Sequence, residues 1–300
     1  MSAERIDRFQ QIAATNRLAL PPATLEQIAR LDTALQHWKT PALMREFGTA
    51  FTRTWREITA PLAPPQRRQF AALYLAQKAL AIDDVLRERS LTPALLARYP
   101  LALDRLADTL EAMPDPYDFD DELFIKDLRL VLGLGVPAGA CILDIRSRMG
   151  GTILLGVARR DPLRVLRTGG KIPCFRLYLD PRYREAFNRE GMIDYYREAG
   201  ELLVHHPDVY GFVCKSWFMD PQLERVSPRL AHLSTIPLSA GAFVITRKAS
   251  DGDRARALKT SPTRRALHEA GKYEPRAVSL VWPREGMIRW AMAQRQERKA

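Results

Sequence analysis

The sequence predicts an α/β protein, with a helical N-terminal lobe over residues 1–125 followed by a mixed-sheet lobe over residues 126–300. Three observations carry this reading. The first third of the chain is punctuated by prolines at helix-start positions and shows helical apolar spacing. Strand-type alternation first appears after Val136. From Cys174 to Arg247 strand and helix patterns then alternate, with an Asp-Pro step opening each helix. The length of 300 residues at 46% hydrophobic suits one to two domains with a buried core.

In the N-terminal lobe, Pro21-Pro22, Thr40-Pro41, Pro61 to Pro65 and Thr92-Pro93 mark helix starts, each Thr-Pro supplying an N-cap and a first helical residue. Phe70, Leu73, Ala76 and Leu80 form one helical stripe, and Leu101, Leu106 and Leu110 a looser one. The stretch from Met113 to Asp121, rich in Pro and Asp, reads as a connection, and Leu123 to Leu132 resumes a helix. Beyond it, Ala140 to Arg146 is a strand, Gly150-Gly151 a hairpin turn and Thr152 to Val157 its partner strand. Gly169-Gly170 turns into the strand Cys174 to Leu179. Asp180-Pro181 opens a helix, Tyr210 to Lys215 is the next strand, Asp220-Pro221 opens a second helix, and Ala242 to Thr246 closes the unit. Ala249 to Lys259 reads as a charged loop, Ser261-Pro262 caps a helix ending at Gly271, Ala277 to Trp282 is the last strand, and Pro283 starts a helix that buries Met287, Ile288, Trp290 and Ala291.

Charge is unevenly placed. Met1 to Gly139 carries 17 Lys+Arg against 18 Asp+Glu, a net −1, whereas Ala140 to Ala300 carries 29 against 17, a net +12. The second half therefore attracts an anionic partner, such as a phosphate-bearing cofactor, an acidic carrier protein or nucleic acid. No apolar run approaches the roughly 20 residues that span a bilayer, and Glu4, Arg5, Asp7 and Arg8 interrupt any secretory signal, so a soluble, cytoplasmic protein is expected. Cys141, Cys174 and Cys214 are odd in number, lack metal-type spacing and fall in strands, which reads as reduced, buried thiols.

Several residue groups invite a chemical reading. The stretch Gly133 to Gly139 has phosphate-loop composition, but no Gly-Lys-Ser/Thr follows and its strand comes after it. His205-His206 with Asp208 offers imidazoles without a third ligand cluster nearby, and no metal is expected. The acidic run Asp115, Asp118, Asp120, Asp121 and Glu122 lacks the ligand order of a calcium loop and reads as a linker and helix start. Cys214 ends a strand just before Lys215-Ser216-Trp217, where a nucleophilic thiol would need a base or a lowered pKa. Two Ser-Pro-centred groups, one with Arg225, Ser227 and Arg229 and one with Ser261, Arg264 and Arg265, set arginines beside a helix start, an arrangement suited to phosphate.

The order of elements from Ala140 to Arg247 resembles the GNAT-type acyltransferase fold, including its acyl-homoserine lactone synthase relatives that take acyl groups from a carrier protein. In that family a central strand leads into a helix that cradles the cofactor pyrophosphate, and the next strand splays away to open an acyl cleft; Cys174 to Leu179 and Tyr210 to Lys215 look like those strands. The resemblance implies an N-acyltransferase that moves an acyl group from an acyl-CoA or acyl-phosphopantetheine thioester to a small-molecule amine, with acyl carrier protein as a partner. It implies Tyr178, Asp180 and His205 as proton handlers, Ser216 at the cleft opening, and Trp217 and Phe218 along the acyl pocket. The chain departs from the family at the pyrophosphate loop, Arg/Gln-x-x-Gly-x-Gly/Ala, where it has Asp180-Pro-Arg-Tyr-Arg-Glu-Ala-Phe187 without a glycine. A replacement grip is then expected from the two arginine groups, with Arg182 or Arg184.

Two other readings stand beside this one. A non-enzymatic basic protein binding nucleic acid or an acidic partner would use the last helix, with Arg284, Arg289, Arg295, Arg298 and Lys299. No nucleic-acid motif accompanies that helix. A Cys-dependent hydrolase would centre on Cys214.

Overall fold

A computed structural model describes residues 1–36 and 49–298. Thr40-Pro41 and Lys299 lie outside the described residues. The chain forms two compact units. One comprises Met1–Ala138, Ile142–Ser147 and Asp180–Arg184; the other comprises Gly139–Cys141, Arg148–Leu179 and Glu185–Ala300.

The first unit is built on helices, chiefly Ala3–Leu18, Pro64–Leu80, Tyr99–Ala112 and Glu122–Val131. Phe70, Leu73 and Ala76 are buried as their spacing requires, whereas Leu101 is exposed and only Leu106 and Leu110 of the second stripe reach the core. Trp55 meets Phe70 edge-on at 5.2 Å, Tyr74 at 5.5 Å and Phe124 at 5.0 Å, which concentrates aromatic area at one centre. Asp121 accepts from the Phe124 amide at 3.2 Å and so starts the Glu122–Val131 helix. Strand β1 (Gly135–Ala138) emerges within the glycine-rich stretch, beside β2 (Cys141–Arg148). Its four residues are too short to show alternation.

The second unit holds β3 (Pro173–Tyr178), β4 (Gly211–Lys215), β5 (Phe243–Lys248) and β6 (Arg276–Pro283), in the order β3-β4-β6-β5. β3 and β4 run parallel, and β6 lies antiparallel to both β4 and β5. On one face Met149, Ile153, Val157, Cys174, Val213 and Val281 form a buried cluster. On the other, Tyr196 packs edge-on against Phe212 at 5.7 Å and Trp282 at 5.6 Å, joining the Arg189–Leu203 helix to the sheet. The final helix, Arg284–Glu297, buries Met287 and Ala291 and leaves Ile288 and Trp290 half-buried.

Four sequence expectations are corrected here. The residues after Gly150 form a helix, Gly151–Ala158, and not a hairpin partner strand. Ile153 and Val157, four apart, both face the core, and Gly156 stands where a Cβ would fall 2.2 Å from Ile245 Cδ1. Asp251–Lys259 is a helix opened by Ser250 and Asp253 in a reciprocal cap, so local capping outweighs the charged composition that suggested a loop. Asp180-Pro181 opens only a short 3-10 segment, and the long helix starts at Arg189 under the Asn188 cap, whose Oδ1 accepts from the Gly191 amide at 2.9 Å. Asp220-Pro221 leads into a turn and only a four-residue helix, Leu223–Val226, the Asp220 carboxylate being shared between the Gln222 amide and Arg276.

The glycine-rich stretch is occupied by its own protein. Gly139 has φ +42°, and its amide donates to the buried Glu198 carboxylate at 3.0 Å, both within the second unit. A Cβ at Gly139 would meet the Tyr195 amide nitrogen at 2.5 Å. The donor a phosphate would need there is already used by a carboxylate.

Candidate functional site at the end of β4

The β3–β4 register pairs Phe175 with Phe212 and Arg176 with Val213. Leu177 and Tyr178 of β3 and Cys214 and Lys215 of β4 continue beyond that register without pairing to one another. The two parallel strands are therefore held together at their N-terminal ends, where the Tyr210 amide also donates to Pro173 O at 3.0 Å, and are unjoined at their C-terminal ends. β4 remains tied to β6 through Lys215 opposite Ser279, and the Ser216 amide donates to Val278 O at 3.0 Å. Backbone groups alternate sides along a strand, so the Lys215 amide faces β3, where pairing has stopped.

The chain then turns through Trp217–Met219. Trp217 and Phe218 are half-buried; Phe218 meets Trp217 at 5.8 Å and Phe187 at 6.2 Å, both edge-on. Asp220 is buried and accepts from Arg276 Nε at 3.0 Å and from the Gln222 amide at 3.0 Å, with a second, shorter contact from Arg276 Nη2. This pair fastens the turn after β4 to the start of β6.

Against that turn lies Arg264, only 5% exposed. Its Nε donates to Ala257 O at 2.6 Å, its Nη1 to Ser227 Oγ at 3.0 Å and its Nη2 to Thr260 Oγ1 at 3.4 Å, and its guanidinium sits 4.5 Å from the centre of the Trp217 ring. All these acceptors are neutral. Burial lowers the Arg264 pKa from its ordinary value, as expected of a desolvated cation. Tyr273 is buried nearby, its hydroxyl has no hydrogen-bond partner, and burial followed by the Asp220 charge pushes its pKa up to about 12. A buried cation among neutral acceptors and a buried hydroxyl donor without an acceptor together suit an anionic ligand.

The sequence-derived residues divide clearly. Ser216, Trp217, Phe218, Ser227 and Arg264 come together after β4, and Tyr178 stands half-buried at the corresponding end of β3. Ser261 serves as the N-cap of Pro262–Glu269, its Oγ accepting from the Arg264 amide at 3.2 Å. Arg265 Nη1 donates to Leu258 O and Lys259 O, both at 3.0 Å, and closes the end of the preceding helix. Arg225 and Arg229 are exposed. His205 is also exposed, just past the end of the Arg189–Leu203 helix and therefore at the opposite end of the five-residue β4 from Ser216, roughly 17 Å away at strand rise. Position separates it from Ser216.

Asp180 belongs to the first unit, where Arg182 Nη2 reaches it at 2.6 Å and Asp127 at 2.5 Å, while Tyr117 donates to Asp127 at 2.7 Å. Asp180 is thus spent in a buried ion network, as is Arg182, which supplies no ligand grip. Cys214 is 2% exposed, and burial pushes its thiol up to about 12, so the neutral form persists where a nucleophile would need the thiolate. In the final helix Arg284 caps Leu203 O at 3.0 Å and Arg298 pairs with Asp194 at 2.7 Å, which turns part of the basic row inward on its own protein.

Tyr273, Arg276 and the Lys215 amide were not legible as site components. Arg276 joins Asp220 across 56 positions, burial of the Tyr273 hydroxyl is set by packing, and the role of the amide depends on where strand pairing stops. Among the described residues no group of three or more His, Cys, Asp or Glu could hold a metal ion, and no helix is long and apolar enough to cross a membrane. Comparison with family models, with curated proteins and with solved structures returned no match.

Proposed function

We propose that this chain is an N-acyltransferase that moves an acyl group from a CoA or acyl-carrier-protein thioester to a small-molecule amine at the open ends of β3 and β4. The observation that carries the reading is the parallel β3–β4 pair whose register ends at Arg176 and Val213. A gap of that kind exposes a backbone donor to a ligand, as the resemblance to GNAT-type acyltransferases implies. The Lys215 amide supplies the donor for the thioester carbonyl and for the oxyanion that develops on it. Arg264, buried without a carboxylate, receives the anionic part of the donor in place of the missing glycine loop.

The amine nitrogen attacks the carbonyl carbon, the carbon–sulfur bond breaks, and the products are an amide and a free thiol. The proton lost by the amine ends on the departing sulfur, and Tyr178, at the end of β3, is the side chain assigned to deliver it. Trp217 and Phe218 offer apolar ring surface to the acyl chain.

The test is incubation of the purified protein with panels of acyl-CoA and acyl-carrier-protein thioesters and primary amines. Free-thiol release and the mass gain of the acceptor are measured together. Turnover with at least one donor, weakened in Arg264→Met through a higher apparent KM for the thioester, is the expected result; absence of both thioester binding and thiol release across the panel overturns the proposal.

A further inference from the structure

The first unit contains a cavity of about 370 Å³, a size that suits a small ligand. Leu35, Val85, Val131 and Leu134 give it apolar walls, and Asp32, Lys78, Glu88, Arg89 and Arg146 also line it. Lys78 and Asp32 neutralise each other there at 2.5 Å, with the Tyr74 hydroxyl donating to Asp32 at 3.1 Å. Arg89 is in a different state. Its Nε is buried and has no hydrogen-bond partner, and its Nη2 makes only a long contact of 3.4 Å to Leu132 O. Arg146 and Glu88 line the same cavity. Burial, and then the charge of Arg146, lower the Arg89 pKa from its ordinary value, with Glu88 opposing. Gly133, at φ +61°, brings the backbone onto this arginine; a Cβ there would lie 2.8 Å from Val85 Cγ1 and 3.4 Å from Arg89 Nε.

We propose that this cavity binds an anion carried on an apolar chain, with Arg89 receiving the anionic head and Leu35, Val85, Val131 and Leu134 receiving the chain. An anion gives the Arg89 Nε–H the acceptor it lacks. An apolar tail displaces water from walls that offer it few hydrogen bonds. A small cation is disfavoured by the arginines, and an uncharged polar ligand leaves the walls uncovered. The site lies wholly within the first unit and stands independently of the chemistry proposed at β4.

Full-length protein is titrated by calorimetry with octanoate, octyl phosphate and octanol. At least one of the two anions is expected to bind at least tenfold more tightly than octanol, the tighter anion naming the head group. Arg89→Met is expected to reduce the anion's affinity by about tenfold or more while leaving octanol unchanged. Ala81→Trp and Val85→Trp, at the cavity wall, are each expected to abolish binding of all three. Circular dichroism melts identify which variants are folded, so that one folded tryptophan variant suffices. Equal binding of octanol and the anions, no anion binding to the folded wild type, or undiminished binding in a folded tryptophan variant overturns the proposal.

Discussion

Arg264 Nη1 donates to the Ser227 hydroxyl at 3.0 Å across 37 positions of sequence, and so unites the two Ser-Pro segments at the turn after β4. The guanidinium has neutral oxygens around it and the Trp217 ring against it, but no carboxylate. Structural arginines at such depth normally have an anionic partner, as Arg276 does in Asp220.

Replacing Arg264 separates a ligand role from a structural one. Arg264→Met removes a buried, uncompensated cation, so the melting temperature is expected to hold or rise, while the apparent KM for the thioester rises about 10- to 100-fold, the worth of one charged hydrogen-bonded contact. Calorimetric melts and donor titrations check both. A fall of more than about 5 °C would assign Arg264 to the fold alone.

At Lys215 the backbone and the side chain have different expectations. The side chain is exposed, and Lys215→Ala should retain both fold and activity. Lys215→Pro deletes the amide that faces the gap while leaving the β4–β6 ladder its neighbouring donors, including the Ser216 amide. Turnover should fall about 100-fold or more, the effect of losing one oxyanion donor. A folded Lys215→Pro protein with wild-type turnover would remove the amide from the mechanism.

Arg182 bridges two buried carboxylates of the first unit, Asp127 and Asp180. Arg182→Met leaves both without their cation and should cost about 3–5 kcal/mol of stability by urea denaturation. Asp127→Asn and Asp180→Asn added together to that variant should restore much of the loss. If the triple variant is no better than Arg182→Met, charge is not what the network balances.

Cys214 gives a pH dependence with a definite sign. Its ordinary value is 9.0, and burial raises it to about 12 in the folded chain. Between those values the unfolded chain releases the thiol proton while the folded chain retains it, so stability contributed by this group is present below about pH 9 and is lost as pH rises toward 12. Urea midpoints compared at pH 8 and pH 10 should fall more for the wild type than for Cys214→Ala. Iodoacetamide at pH 8 should label Cys214 only after unfolding.

Much of this architecture is legible in local sequence. Proline at helix starts, the Ser261 cap, the short apolar run of Ala277 to Trp282 and the paired glycines at Gly169-Gly170, both with positive φ, act over a few residues and require no distant partner. The errors share a cause as well: Gly150-Gly151 and the charged run after Ser250 have turn-like composition, but core contacts at Ile153 and Val157 and a reciprocal cap at Asp253 decide for helix.

The sequence by itself determined the strand-bearing stretches around Cys174, Tyr210 and Ala277 and the basic bias of the second half. It also singled out the arginine groups at Ser227 and Ser261. Tertiary structure decided which members of those groups matter. It buried Arg264 beside Trp217 and left Arg225 and Arg229 exposed. It also spent Asp180 on Arg182 and ended the β3–β4 register two residues short of Tyr178. The physical reason is that desolvation and charge pairing depend on neighbours tens of positions away. Residue spacing records a local periodicity, and only the packed chain fixes which polar groups lose water and which partner, if any, compensates them.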